Sequence, residues 1–418
     1  MSESLKIVRR DAVVADDWND GTLPLLRRIY AARGATTPEQ AQPRLAQLHA
    51  PELLGGMQAA VSLLAEAIAS GKRILIVGDF DCDGATACAV GVRGLRMLGA
   101  RDVVHAVPNR MLHGYGLSPS LVAELAALQP DVLVTVDHGI ACHAGVRAAK
   151  ALGWQVLVTD HYLPGEQLPP ADAIVDPNVD GDAFPSKALA GVGVIFYVLM
   201  ALRRHLRERA AFAAQPEPDL LTLLDLVAVG TVADLVALDD NNRALVSAGL
   251  RRLRAGKACA GLQALIEASG RDPRRLSASD IGYAVAPRLN AAGRLEDMAL
   301  GIELLLTEDP AQARHIATLL EEINAERRAV QQIMTDDAER AVARALLDDG
   351  MQRPVAACLF DAEWHPGVVG LVASKMKDRL HRPVIAFAPA EPGGDTLRGS
   401  ARSIPGLHIR DALALVDA

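Results

Sequence analysis

Three aspartates, Asp79, Asp81 and Asp83, stand two residues apart in "ILIVGDFDCDGATA" (74–87), directly after an apolar run. Like charges this close repel, and carboxylates are rarely buried without a partner, so a structural role alone explains the cluster poorly. Further candidates close other apolar runs: Asp137 and His138 in "VTVDHGI", Asp160 and His161 in "LVTDHYLPG", and Asp234 in "LLDLVAVGTVADLVAL", after a Gly-Thr turn. One aspartate at a strand end is commonly a helix N-cap. The set as a whole points instead to metal. Oxygen ligands with one or two imidazoles and no thiolate suit Mn²⁺ or Mg²⁺ better than zinc, and this many carboxylates suit two ions ~3.5 to 4 Å apart. Such a pair can make a hydroxide nucleophile from water and clamp both the attacking and the leaving oxygen at phosphorus.

These residues need strands that deliver them to one rim. "RILIVGD", "DVLVTVD" and "WQVLVTD" are β-rich and apolar throughout, and Ala/Leu-rich helical stretches or a proline-containing loop follow them. Strands apolar on both faces that alternate with helices predict a doubly wound, mainly parallel sheet, an α/β fold with its site at the carboxyl ends of the strands. "LAGVGVIFYVLMAL" (189–202) is too short to span a bilayer and reads as a buried helix. A second region follows from a connector. Asp309 and Pro310 give the N-cap and first position of one long helix that stops at Gly350, with Ile316, Leu319, Ile323, Val330 and Ile333 at helical spacing. Beyond it, "RPVAACLF" and "RPVIAFAP" read as strands around the helical "GVVGLVASKMKDRL". The chain therefore divides into 1–308, 309–350 and 351–418.

Composition narrows the class. With 418 residues, half of them hydrophobic and 22% charged, the chain can bury a large core. "MSESLKIVRRDAVVADDWND" lacks the apolar core of a signal peptide, and five scattered cysteines without a CxxC pair argue against disulfides or a zinc ribbon. A monomer in a reducing cytoplasm, away from membranes, fits these features. A net charge of -8 argues weakly against nucleic acid, yet basic residues gather late, in "RRLRAGK", "RDPRR" and "KMKDRLHR".

On its own, "DCDGAT" also resembles the loop of haloacid-dehalogenase-type phosphatases, but the later strand ends carry Asp-His in place of that fold's lysine and acidic pair. Asp-x-Asp-x-Asp-Gly, then Asp137, then Asp160-His161, then Asp234 resembles the DHH phosphoesterase superfamily. Within it, "PNRMLHGYGLS", "APRLNAAGRL" and "WHPGVVGLVASKMKDRLHRPVIAF" are similar to the RecJ family of single-strand-specific 5′→3′ DNA exonucleases, from about residue 70 onward. The resemblance implies a DHH domain joined by the long helix to a smaller α/β DHHA1 domain across a groove that admits one DNA strand. It implies Asp81, Asp83, Asp137, His161 and Asp234 as ligands of two Mn²⁺ or Mg²⁺ ions, with Asp79 and Asp160 as partial ligands or supports. It implies substrate contacts from Asn109, Arg110, Arg288, Asn290 and, in a "GSARS" loop, Ser400 and Arg402. Its partners would be single-stranded DNA, a single-stranded-DNA-binding protein and a helicase, acting in repair and recombination. Tyr162 stands where the family motif has a second histidine, and is expected to slow turnover. "RDALALVDA" is expected to stop short of the rest of DHHA1 and of an oligonucleotide-binding fold. The alternatives are a phosphoesterase of small substrates (short oligonucleotides, cyclic dinucleotides, pyrophosphate) and a catalytically silent DNA- or protein-binding scaffold.

Overall fold

The computed structural model describes residues 11, 13–14, 18, 21–110, 112–348, 355–391 and 393–416. Gly350, Arg353, Pro354 and most of the amino-terminal stretch discussed above lie outside them.

Five parallel strands, β1 (Ile74–Val77), β2 (Val103–Ala106), β3 (Val132–Val136), β4 (Gln155–Thr159) and β5 (Ala173–Val175), form a sheet in the order β2-β1-β3-β4-β5. Both faces are covered, which is why the strands read as unbroken apolar runs. Ile74, Ile76, Val134 and Leu157 pack against the helices Met57–Ala69, Cys82–Met97 and Gly191–Glu208, while Leu75, Val77, Leu133 and Val156 face Pro119–Leu125 and His143–Ala151. The order reverses direction between β1 and β3, and a crevice opens at the carboxyl ends of strands at such a switch point. The acidic loops after β1 and β3 lie there.

The run at 189–202 lies in the buried Gly191–Glu208 helix, as its length predicts. The fourth apolar stretch differs from the sequence reading: "LDLVAVGTVA" is the helix Leu224–Ala233, with Gly230 and Thr231 inside it rather than in a turn. Its apolar residues cover every side, because the helix is buried between others, so no amphipathic period marks it.

The connector is one helix, Pro310–Asp348. Asp309 caps it, Oδ1 accepting from Ala311 N at 2.8 Å. Ala313, Ile316, Ala317 and Leu320 belong to the core of the first domain, and Met334 and Ala338 to that of the second. Ile333 lies 62% exposed, off the buried stripe expected for it. The second domain is a three-stranded mixed sheet, β6 (Ala357–Phe360), β7 (Val384–Pro389) and β8 (Leu397–Arg402), with the Val369–Leu380 helix on one face. The expected "GSARS" loop is largely strand: Ser400 and Arg402 pair with Ala386 and Val384 of β7. No single helix among the described residues is long and apolar enough to cross a membrane.

Candidate metal centre

Each acidic side chain is aimed by a local device. Asp81 caps the Cys82–Met97 helix, its Oδ1 accepting from Gly84 N at 3.0 Å, and Asn290 Oδ1 fixes the same loop by accepting from Cys82 N at 2.8 Å. Asp83 points into the amino terminus of the Gly191–Glu208 helix, taking Gly191 N at 2.7 Å and Val192 N at 3.0 Å, where the helix dipole favours an anion. Asp137 leaves β3 with φ 64°, a left-handed backbone that costs a non-glycine residue about 1 kcal/mol or more and recurs at functional sites. Asp160 accepts from Ile140 N, His161 N and Tyr162 N at 2.8, 2.7 and 3.1 Å, which fixes the turn carrying His161. Asn178, after β5, donates to the carbonyls of His161 (2.7 Å) and Lys187 (3.2 Å) and holds that turn from below. Asp234 closes the carboxyl end of its helix.

These devices assemble two groups of potential ligand atoms, Asp79/Asp81/Asp137 and Asp83/His161/Asp234, each with its atoms within 4.8 Å of one another. His161 Nε2 lies 3.0 Å from Asp137 Oδ1 and 3.6 Å from Asp234 Oδ2. Yet Asp79 Oδ1, both Asp137 oxygens and His161 Nε2 are buried without hydrogen-bond partners among the described residues. Buried polar atoms are rarely left so. Burial, then neighbouring carboxylates, pushes Asp83 up to about 7 and holds Asp79 and Asp137 well above the usual carboxylate range; burial, then Asp81, pushes Asp234 up to about 7. This is the electrostatic signature of a cluster short of positive charge, and oxygen-rich donors with one imidazole fit hard divalent ions. His138, in contrast, is a structural group: burial pushes it down to about 4, and its Nε2 donates to Val77 O at 3.1 Å.

An aromatic wall borders the carboxylates. Arg110 lies over the Phe80 ring at 3.8 Å, Phe80 meets Tyr115 edge to face at 5.9 Å, Tyr115 meets Tyr162 at 6.3 Å, and Tyr162 lies 4.6 Å from His161. Burial, then the charges of Asp137, Asp81 and Asp234, keeps the Tyr162 phenol well above its ordinary range, so it stays a hydrogen-bond donor beside both groups.

The predicted substrate residues divide. Arg110 borders the centre, with Nε buried and without a hydrogen-bond partner among the described residues, and its carbonyl accepts from Arg398 of β8 at 2.8 Å, a direct contact between the domains. Arg402 is braced by Ser374 Oγ (2.9 Å) and Ser400 Oγ (2.8 Å), and its free end lies over Gly370, where a Cβ would come within 2.9 Å of Nη2. Asn109 shapes the turn before Arg110, its N donating to His113 Nδ1 at 3.1 Å and its Oδ1 accepting from Leu112 N at 3.3 Å. Arg288 is buried against Ala284 O and paired with Glu321, contacts that bind the Ala286–Leu295 helix to the long helix.

Sequence reasoning missed Arg294 and Arg327. Burial, then the charge of Arg110, pushes Arg294 down to about 10, with Arg327 and Arg402 adding to the effect and Asp81 opposing it. Arg294 also donates to Gly367 O across the domains at 3.3 Å. Arg294 therefore lies within electrostatic reach of three other guanidiniums and of Asp81. Arg294 lies inside "APRLNAAGRL", from which the sequence reading drew only Arg288 and Asn290, and Arg327 in "NAERR" is a basic residue on the connector itself.

The DHH family N-terminal domain matches residues 73–231, and the DHHA1 domain matches 352–418. The chain is 51% identical to the single-stranded-DNA-specific exonuclease RecJ of Dickeya dadantii over 98% of its own length and 71% of that protein. It is 46% identical to the protein of that name from Escherichia coli, over 100% and 72%. A crystal structure of exonuclease RecJ bound to manganese superposes with a TM-score of 0.71 at 38% identity, covering 86% of this chain and 85% of that one. RecJ in complex with Mn²⁺ from Thermus thermophilus gives 0.75 at 36%, covering 92% and 53%. With both domains matched in order and sequence identity sustained along the whole chain, the chain belongs to the RecJ family.

Proposed function

We propose that this chain hydrolyses the phosphodiesters of single-stranded DNA from the 5′ end, releasing 5′-mononucleotides, with two Mn²⁺ or Mg²⁺ ions held by Asp79, Asp81, Asp83, Asp137, His161 and Asp234. The observation that carries the reading is the pair of three-residue groups in which Asp79 Oδ1 and Asp137 Oδ2 are buried without hydrogen-bond partners among the described residues while His161 Nε2 faces Asp137 and Asp234. Bound there, such ions supply a water of lowered pKa and positive charge at the phosphorus. The chain's own residues do the rest. Asp160 and Asn178 keep His161 in place. Arg110 and Arg402 offer planar forks suited to phosphate, Arg402 at the 5′ end. Asn290 holds the aspartate loop, Ser400 braces Arg402, and the Tyr162 hydroxyl donates to the scissile group. Arg288 fixes the floor of a groove between domains divided at 309 and 351. A helicase and a single-stranded-DNA-binding protein, which supply and cover unwound ends in the cytoplasm, fit this substrate as partners of a monomeric enzyme.

The test is to incubate 5′- and 3′-labelled single strands, duplex and pyrophosphate with Mn²⁺ or Mg²⁺. Metal-dependent release of 5′-terminal mononucleotides from single strands alone is expected, and its loss in Asp137→Asn. Preferred hydrolysis of pyrophosphate or dinucleotides would favour a small-substrate enzyme, and full activity of Asp137→Asn would overturn the metal assignment.

A further inference from the structure

Residues 251–280 hold seven Lys/Arg and three Asp/Glu, a local balance of +4 in a chain of net charge -8. The fold gathers these cations. Arg254, at the end of the Asp240–Arg254 helix, donates through Nε to Leu276 O at 2.7 Å, which joins that helix end to the Pro273–Arg275 turn. Arg271 and Arg274 have carboxylate partners, Asp280 at 3.5 Å and Asp272 at 3.3 Å, whereas Arg251, Arg254, Lys257 and Arg275 have none among the described residues. These six cations are exposed, and Arg252, the seventh, is half-buried.

One aromatic interrupts the basic surface. Tyr283 is 86% exposed on the π-helical stretch Ile281–Val285, a widened turn of the kind that marks functional sites, and it stands one turn beyond Asp280, the partner of Arg271. The neighbouring Gly282 faces Val232, whose Cγ1 would lie 3.7 Å from a Cβ there. Val232 is two residues before Asp234, and Leu235 follows with φ 63° and 85% exposure. The cations, the tyrosine and the exposed leucine thus trace a path that ends at the metal rim.

We propose that this surface is a second binding site for single-stranded DNA, holding the part of the strand that has not yet reached the metal centre. The proposal rests on the exonuclease reading. Unpaired cations match phosphates, and an open aromatic face matches an unpaired base, which a duplex does not present and an acidic peptide does not need.

The test uses 5′-phosphorylated phosphorothioate strands of about six and about thirty nucleotides, lengths below and above a typical single-strand site. Affinity is measured with Mn²⁺ for the native chain, Lys257→Ala/Arg275→Ala and Tyr283→Ala, with melting curves to verify folding. The double variant should bind the short strand as the native chain does, bind the long strand more weakly, and lose about 1.4 from the slope of log affinity against log salt, at ~0.7 per phosphate contact. Tyr283→Ala should weaken the long strand about tenfold. Equal losses on both strands, no loss on either, or loss only of binding to a polyglutamate peptide would overturn the proposal. Absence of hydrolysis of an ordinary six-nucleotide strand would count against the exonuclease reading instead.

Discussion

At the scale of single residues, the unusual one is Tyr162. Its phenol lies beside the candidate ligands and can donate a hydrogen bond but carries no positive charge, whereas an imidazolium there could supply both charge and a proton. A positioned acid-base group is worth ~10² to 10⁴ in rate, so Tyr162→His should raise kcat on a short 5′-phosphorylated strand at saturating Mn²⁺, by ~10² as the modest end. Mn²⁺ affinity should change far less than kcat, because all six members of the two ligand groups are kept. Equal kcat would mean that the phenol already fills the role. Most of the candidate ligands were legible in the sequence because several apolar runs far apart each end in aspartate, a set that N-capping of single helices does not explain. Asn178 was not, since its work is to grip two backbone carbonyls, which leaves no mark in residue type.

At the scale of elements, the site depends on how closely two helices approach β1 and β3. A Cβ on Gly191 would lie 2.5 Å from Asp137 Oδ1 and 2.8 Å from its Cα, while Gly191 N is the donor that holds Asp83. Gly191→Ala should therefore displace members of both ligand groups and weaken Mn²⁺ binding by at least about tenfold, the scale of a lost supporting contact, with far-ultraviolet circular dichroism intact. Native-like affinity in a calorimetric titration would contradict this. The strands were legible because each is buried on two faces; the Leu224–Ala233 helix was misread for the same reason, its apolar residues running all round. The strand β8 hid behind glycine and serine in "LRGSAR", where pairing with β7 outweighs local preference.

At the scale of the whole molecule, the carboxylates couple stability to pH. Asp83 and Asp234 are pushed up to about 7, so what they contribute to the metal-free fold is present below the ordinary carboxylate range and lost as pH rises through about 7. Metal reverses the sign, because it needs the ionised forms. The rise in Tm on adding Mn²⁺ should therefore be larger at pH 8 than at pH 6, and apparent affinity should change roughly tenfold per pH unit for each proton displaced. A metal-induced shift independent of pH would show that these groups are not ligands.

The connector has a consequence for how the molecule comes apart. Its first half is built into the core around Ile316 and Leu320, its second half into the one around Met334 and Ala338, and the middle, at Asn324 to Arg328, belongs to neither. Two hydrophobic cores sharing one rod need not melt together. Differential scanning calorimetry should resolve two transitions, the smaller for the domain of β6 to β8, whose short sheet buries less. Mn²⁺ should move only the larger, because every candidate ligand lies in the first domain. A smaller module that unfolds reversibly on its own half of a helical rod would leave the catalytic half intact, so thermal damage should begin as loss of grip on the strand before loss of chemistry.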